Sequence, residues 1–287
     1  MPQRFNSYFQ SVEGNEGARC HYPTRLDTYG CGCQHNCGYC YARSLLAFRV
    51  MWNPAQPAAA SPRDILRVIA TKLHPGDVVR LGGMTDCFQP MERARKNTLR
   101  AIRWLNQRRV HYLIVTKNDL VAEYIPEMDP ALAHIQVSIT STDPAVSRRV
   151  EPGAPLPEAR IAAVEQLAAA GFDVSVRLSP FIPEWLDLGR INAIGCDKAL
   201  VEFLRVNAWI RKWLGALDPP RRPIEAHAVP RRIQPPPAYR EDSPSLRRHR
   251  LPRALHLRGR AGALGVVARS PQRQPRRLLQ PQNHQMI

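Results

Sequence analysis

From about residue 78 the chain alternates short β-branched runs with stretches of helical periodicity, a pattern that predicts repeated βα units around a parallel sheet. The runs are Val78 to Leu81, His111 to Thr116, Ile135 to Thr140, Asp173 to Leu178 and Ala199 to Leu204, with a short one near Arg25 to Thr28 ahead of them. Helices fall between. Ser61-Pro62-Arg63-Asp64 reads as an N-cap followed by proline at the first helical position, and Pro157 to Ala170 stops at Gly171, a natural C-cap. Six such units predict an α/β fold, a partial (βα)6 TIM-type barrel whose chemistry sits on the loops after the carboxyl ends of the strands.

The alternation ends after Asp218. The last 69 residues hold 12 of the 27 prolines, a Pro235-Pro236-Pro237 run and arginine as the only strong base. The pattern therefore divides the chain into an N-terminal extension (1–19), a core domain (20–217) and an Arg/Pro-rich tail (218–287), read as disordered. Such a tail suits a basic arm for nucleic acid. It also suits translation out of frame from a GC-rich gene, because Arg273 to Gln280, back-translated and read one base later, can give an acidic, cysteine-containing stretch.

The tail changes how the net charge of +17 is read. Clustered Lys and Arg attract phosphate, but residues 1–218 carry only +5, and 219–287 the remaining +12. Hydrophobic residues make up 44% of the sequence, enough for a packed core, and no apolar run approaches a membrane span. With no leader-like segment at Met1 to Asn6, the expectation is a cytoplasmic protein without membrane contact.

Five of the seven cysteines fall between Cys20 and Cys40, a distribution that suits metal ligation better than a disulfide framework. In Cys33-Gln34-His35-Asn36-Cys37-Gly38-Tyr39-Cys40 a three-residue gap precedes a two-residue gap. Three thiolates in one loop can cap three corners of a 4Fe-4S cube and leave the fourth iron open. The rival is zinc on Cys31, Cys33, Cys37 and Cys40, although zinc sites usually pair two cysteine couples across a longer segment. Cys20, Cys31 and Cys196 are read as plain thiols.

The Cys33, Cys37, Cys40 spacing with Tyr39 before the last cysteine resembles the signature of the radical S-adenosylmethionine (SAM) superfamily. Cys37-Gly38-Tyr39-Cys40-Tyr41-Ala42-Arg43, Thr85 to Glu92 and Thr116-Lys117-Asn118-Asp119-Leu120 are similar to the branch containing spore photoproduct lyase, and Val137 to Thr140 and Arg149 to Pro152 extend the likeness. The resemblance implies an enzyme whose open iron chelates SAM, whose reduced cluster cleaves it, and whose 5'-deoxyadenosyl radical abstracts hydrogen from an unknown substrate. A reducing partner such as a flavodoxin or ferredoxin goes with that chemistry.

Around that core, Gly82-Gly83 follow a strand and let the backbone approach a methionyl group, while Thr85 and Asp86 come next, where an acid can accept ribose hydroxyls or cap a loop. Lys117 could pair with the cofactor carboxylate, and Ser138, Thr140 and Arg177 stand at strand ends. Cys87 is either a radical relay or a small packed residue; in the lyase the donor cysteine precedes the Thr-Asp element, whereas here Met84 does. Glu202 and Arg205 lie at the last strand and face the barrel mouth or pair internally. Two further functions are compatible with the chain: lyase-like repair of DNA, and a non-catalytic zinc-containing nucleic-acid binder.

Overall fold

The computed structural model describes residues 5, 8–11, 22, 24–204, 208–215, 255–260 and 263–269. A two-residue pair, β3 (Tyr29–Gly30) and β4 (Ala58–Ala59), stands apart from one nine-stranded sheet. Six strands of that sheet run parallel in chain order: β2 (Thr24–Leu26), β5 (Val78–Leu81), β6 (His111–Thr116), β7 (Ala133–Ser138), β8 (Asp173–Leu178) and β9 (Lys198–Glu202). At one edge β1 (Phe9–Ser11) pairs antiparallel with β2, so part of the N-terminal extension joins the sheet. At the other, β11 (Ala263–Arg269) pairs antiparallel with β9 and with β10 (Leu255–Arg260).

The six predicted units are therefore present. β7 begins and ends two residues before the run that predicts it, because Ala133-His134 extends the ladder and Ile139 already belongs to the loop. Of the tail 218–287, only β10 and β11 fall within the described residues; the rest of it lies outside them, as do Cys20 and Arg205.

The pleat sorts side chains by face. Tyr112, Ile114, Ile135, Val137, Val174 and Val176 point to the helices and pack with Ile65, Ile69, Ile102, Leu105, Val164 and Leu167 in the main core. The alternate positions, among them Arg25, Arg80, Gln136, Ser175 and Arg177, lie outside that core and line the inner face. Among the described residues no helix is long and apolar enough to cross a membrane.

At the amino ends of the strands Asp173 is gripped from two sides. His134 Nδ1 lies 2.9 Å from one carboxylate oxygen, and Lys198 Nζ pairs with the other. Burial alone would raise the Asp173 carboxyl, but hydrogen bonds from His134 and Lys198 outweigh it and bring it down to about 2. A depressed carboxyl stabilises the fold above its ordinary pKa, and that contribution fades as pH falls from about 4 towards 2. At neutral pH Asp173→Asn is expected to lower stability by about 1–2 kcal/mol, discounted for partial exposure. In urea unfolding the gap between wild type and variant should narrow below about pH 4 and close only at about pH 2 and below.

Candidate active site

The cysteine loop is wound tightly between β3 and the helix Tyr41–Phe48. Cys31 and Asn36 adopt left-handed backbone conformations, with φ of 55° and 48°, uncommon for residues with a side chain and typical of over-determined functional loops. The segment after β7 holds this loop from behind. Gly38 N–H donates to Val150 O at 2.8 Å, and Gly153 N–H donates to His35 O at 3.1 Å. The approach is so close that a Cβ on Gly153 would stand 1.9 Å from the Gln34 carbonyl oxygen.

Cys33 and Cys37 are buried and Cys40 is half-buried. The amides of Asp86 and His35 face the Cys33 sulfur, and those of Ala42 and Arg43, in the first turn of the following helix, face Cys40. Burial nevertheless pushes all three thiols up, Cys33 to about 12 and Cys37 well above its ordinary range. Three thiols brought together on one loop, two of them faced by backbone amides, are a donor set that fits a group bringing positive metal. Two buried polar atoms near the loop, Asn36 Oδ1 and Gln89 Nε2, have no partner among the described residues. Among the described residues no three His, Cys, Asp or Glu side chains close around a single ion. A cluster taking one thiolate per iron does not require that closure.

Asp86 ties the loop to the barrel. His35 Nδ1 lies 3.3 Å from its carboxylate, and it accepts hydrogen bonds from Thr116 Oγ1 at 2.8 Å, Lys117 N at 2.7 Å and Phe88 N at 2.8 Å. Burial raises this acid, yet His35 and the amides more than compensate, leaving it below the usual range. Both carboxylate oxygens are thus engaged by the protein. Thr85 is similarly engaged, its hydroxyl donating to Tyr29 O at 2.7 Å.

Lys117 sits at the mouth among groups the sequence did not single out as site residues. Its Nζ is 3.3 Å from Glu151 Oε1 and 5.4 Å from the Tyr39 ring centroid. Glu151 also pairs with Arg160 and accepts from the Tyr39 hydroxyl, which lies 3.0 Å from Thr140 Oγ1. Burial lowers the Lys117 amine to about 8. Gly82, with φ of 75°, turns the chain at the end of β5 in a conformation that disfavours side chains. The Gly83 amide donates to buried Asp27, and the Gly83 carbonyl accepts from Tyr41 Oη at 2.6 Å. The glycine turn is thereby tied to the cysteine-loop helix.

Ser138 is buried at the end of β7, and Arg177 of β8 pairs with Glu202 and Gln136. Glu202 thus takes the internal-pair alternative. Cys87 lies fully buried in the main hydrophobic core, its carbonyl accepting from Thr98 Oγ1 at 2.6 Å. That is the environment of the packed-residue alternative.

The family model described as the radical SAM superfamily matches residues 28–187, which span the cysteine loop, the glycine turn, Lys117 and the Glu151 cluster. The chain belongs to the radical SAM superfamily. As a radical SAM enzyme it cleaves SAM by radical chemistry and carries the iron-sulfur cluster the superfamily implies. An uncharacterised protein of Mycobacterium tuberculosis is 28% identical over 233 residues, covering 73% of this chain and 68% of its own. An uncharacterised protein of Methanocaldococcus jannaschii is 27% identical over 178 residues, covering 60% and 65% respectively. Among solved structures, a mutant of spore photoproduct lyase with bound AdoMet and dinucleoside spore photoproduct aligns at TM-score 0.53 and 16% identity, over 88% of this radical SAM chain and 70% of its own. A second lyase mutant aligns at TM-score 0.55 and 14% identity, over 92% and 72%. At these identities the likeness is one of fold.

Proposed function

We propose that this radical SAM enzyme holds a 4Fe-4S cluster on Cys33, Cys37 and Cys40 and abstracts hydrogen from its substrate after reduction by an external donor protein of the flavodoxin or ferredoxin kind. The observation that carries the proposal is the set of three thiols on one loop, Cys33 and Cys37 buried and Cys40 half-buried, two of them faced by backbone amides, with Lys117 set beside Cys37. When bound, cluster and cofactor supply a 5'-deoxyadenosyl radical. The chain's own residues bind, orient and exclude. Lys117 offers a cation to the cofactor carboxylate, with Ser138, Thr140 and Arg177 on the same rim, and the backbone of Gly82-Gly83 borders the methionyl group. Glu151 and Tyr39 fix the direction of the Lys117 amine, and Asp86 sets the height of the loop through His35.

The test is anaerobic reconstitution followed by iron and sulfide analysis. The wild type is expected to hold about four irons. Cys33→Ala, Cys37→Ala and Cys40→Ala should each lose most of them, whereas Cys31→Ser and Cys87→Ser should retain them. Zinc in place of iron, or iron retained by all three alanine variants, would overturn the assignment.

A further inference from the structure

The inner face of the sheet carries three arginines that are unequally matched. Arg25 and Arg80 stand directly opposite one another on β2 and β5. Both are partly buried, while their neighbours Leu26, Val79 and Leu81 face the hydrophobic core. Like charges directly opposed in a sheet repel. Arg25 is offset by Asp27, with Nε 3.2 Å from the carboxylate. Across the lumen, Arg177 is offset by Glu202 and donates to Gln136 Oε1 at 2.7 Å.

Arg80 has no such partner. Its Nε donates to the Gly82 carbonyl at 3.0 Å, and among the described residues it forms no ion pair. The pleat sets Arg80 on the inner face of β5, where its charge also acts on Asp27, Tyr41, Arg177 and Glu202. A guanidinium held by one Nε bond keeps its terminal nitrogens available as a planar fork, the shape that grips carboxylate or phosphate with two hydrogen bonds. Placing it beside two other arginines has an electrostatic cost, which an incoming anion would offset.

We propose that Arg80, with Arg177 beside it, anchors an oxyanion group of the substrate, a carboxylate or a phosphate ester. The proposal rests on the radical SAM reading for the position of the reacting end. The anchor is two residues below Gly82 on the same strand, so the anionic group sits in the lumen and the rest of the substrate extends towards the mouth.

The experiment uses the full-length reconstituted protein at fixed ionic strength, since the net charge of +17 favours weak non-specific anion binding. Inorganic phosphate and acetate are titrated separately, with binding read from the line width of the 31P signal and of the acetate methyl proton signal. One saturable site for at least one of the two is expected. A preference for phosphate assigns a phosphate ester, and one for acetate a carboxylate. Arg80→Gln should weaken the site about tenfold or more, the usual loss for a charge-assisted pair. Exposed Arg95→Gln should leave it unchanged.

Glu202→Gln frees the Arg177 guanidinium and should tighten binding, an outcome that holds even if Arg80→Gln does not fold. Absence of a saturable site for both anions, or binding unaltered by both Arg80→Gln and Glu202→Gln, would overturn the proposal. Failure of the radical SAM reading would show separately, as a wild-type protein that does not cleave SAM.

Discussion

Glu92→Ala is expected to lower the stability of the folded chain by about 3–5 kcal/mol. Glu92 is fully buried and accepts four hydrogen bonds: from the Tyr29 hydroxyl, from Tyr124 Oη at 2.9 Å, and from the amides of Thr98 and Leu99 at 2.9 and 3.0 Å. The two amides belong to the first turn of the helix Asn97–Gln107, where helices leave donors without internal partners. The chain reverses at Lys96, with φ of 53°, which lets a carboxylate from the preceding turn cap this helix from beneath. Alanine would leave two tyrosine hydroxyls and two amides buried without acceptors. Glu92→Gln keeps one acceptor oxygen and should cost about half as much. Urea unfolding of the anaerobically purified variants measures both, and a midpoint within error of wild type for Glu92→Ala would contradict this account.

The second large effect is expected at Glu151. This side chain is shielded from solvent and sits between Arg160, itself 1% exposed, and Lys117. Removing one partner of a buried ion pair leaves the other charge uncompensated and costs about 3–5 kcal/mol. Glu151→Ala should therefore be as damaging as Glu92→Ala, with one difference in kind. Glu151 also receives Tyr39 from the cysteine loop and adjoins Val150, whose carbonyl holds Gly38. The variant should accordingly lose iron faster than wild type when both are compared folded, whereas Glu92→Gln should not. Neutralising Lys117 as well, in Glu151→Ala with Lys117→Met, should recover part of the stability, because the two sites share one electrostatic contact. Purely additive losses would contradict the coupling.

The sequence reveals those features carried by local pattern. Six parallel strands show as β-branched runs, and the cysteine spacing is visible because its three cysteines lie within eight residues. Lys117 and Gly82 could be picked out because each follows directly on a strand. Asp86 could be picked out as well, but its partners Thr116, Lys117 and His35 come from two distant segments that no local pattern joins to it.

Glu151 meets Tyr39 only through the fold, across 112 residues, and although both lie in the motifs quoted above, no local pattern shows that they touch or that Arg160 joins them. Arg80 was hidden differently: in sequence it is one basic residue in an apolar run, and its isolation appears only when Arg25 and Arg177 are seen paired. The hairpin β10–β11 was obscured by the prolines and arginines around it, although Ala263 to Arg269 contains a Val266-Val267 step suited to a strand.

The central claim is that Cys33, Cys37 and Cys40 hold a cluster that cleaves SAM. It is tested most directly by reconstituting the protein anaerobically, reducing it with dithionite in the presence of SAM, and quantifying 5'-deoxyadenosine in wild type and Cys37→Ala. The account predicts accumulation of 5'-deoxyadenosine with the wild type and none above background with the variant. Equal yields from the two proteins, or a wild type that carries its full complement of iron yet forms no 5'-deoxyadenosine, would contradict it.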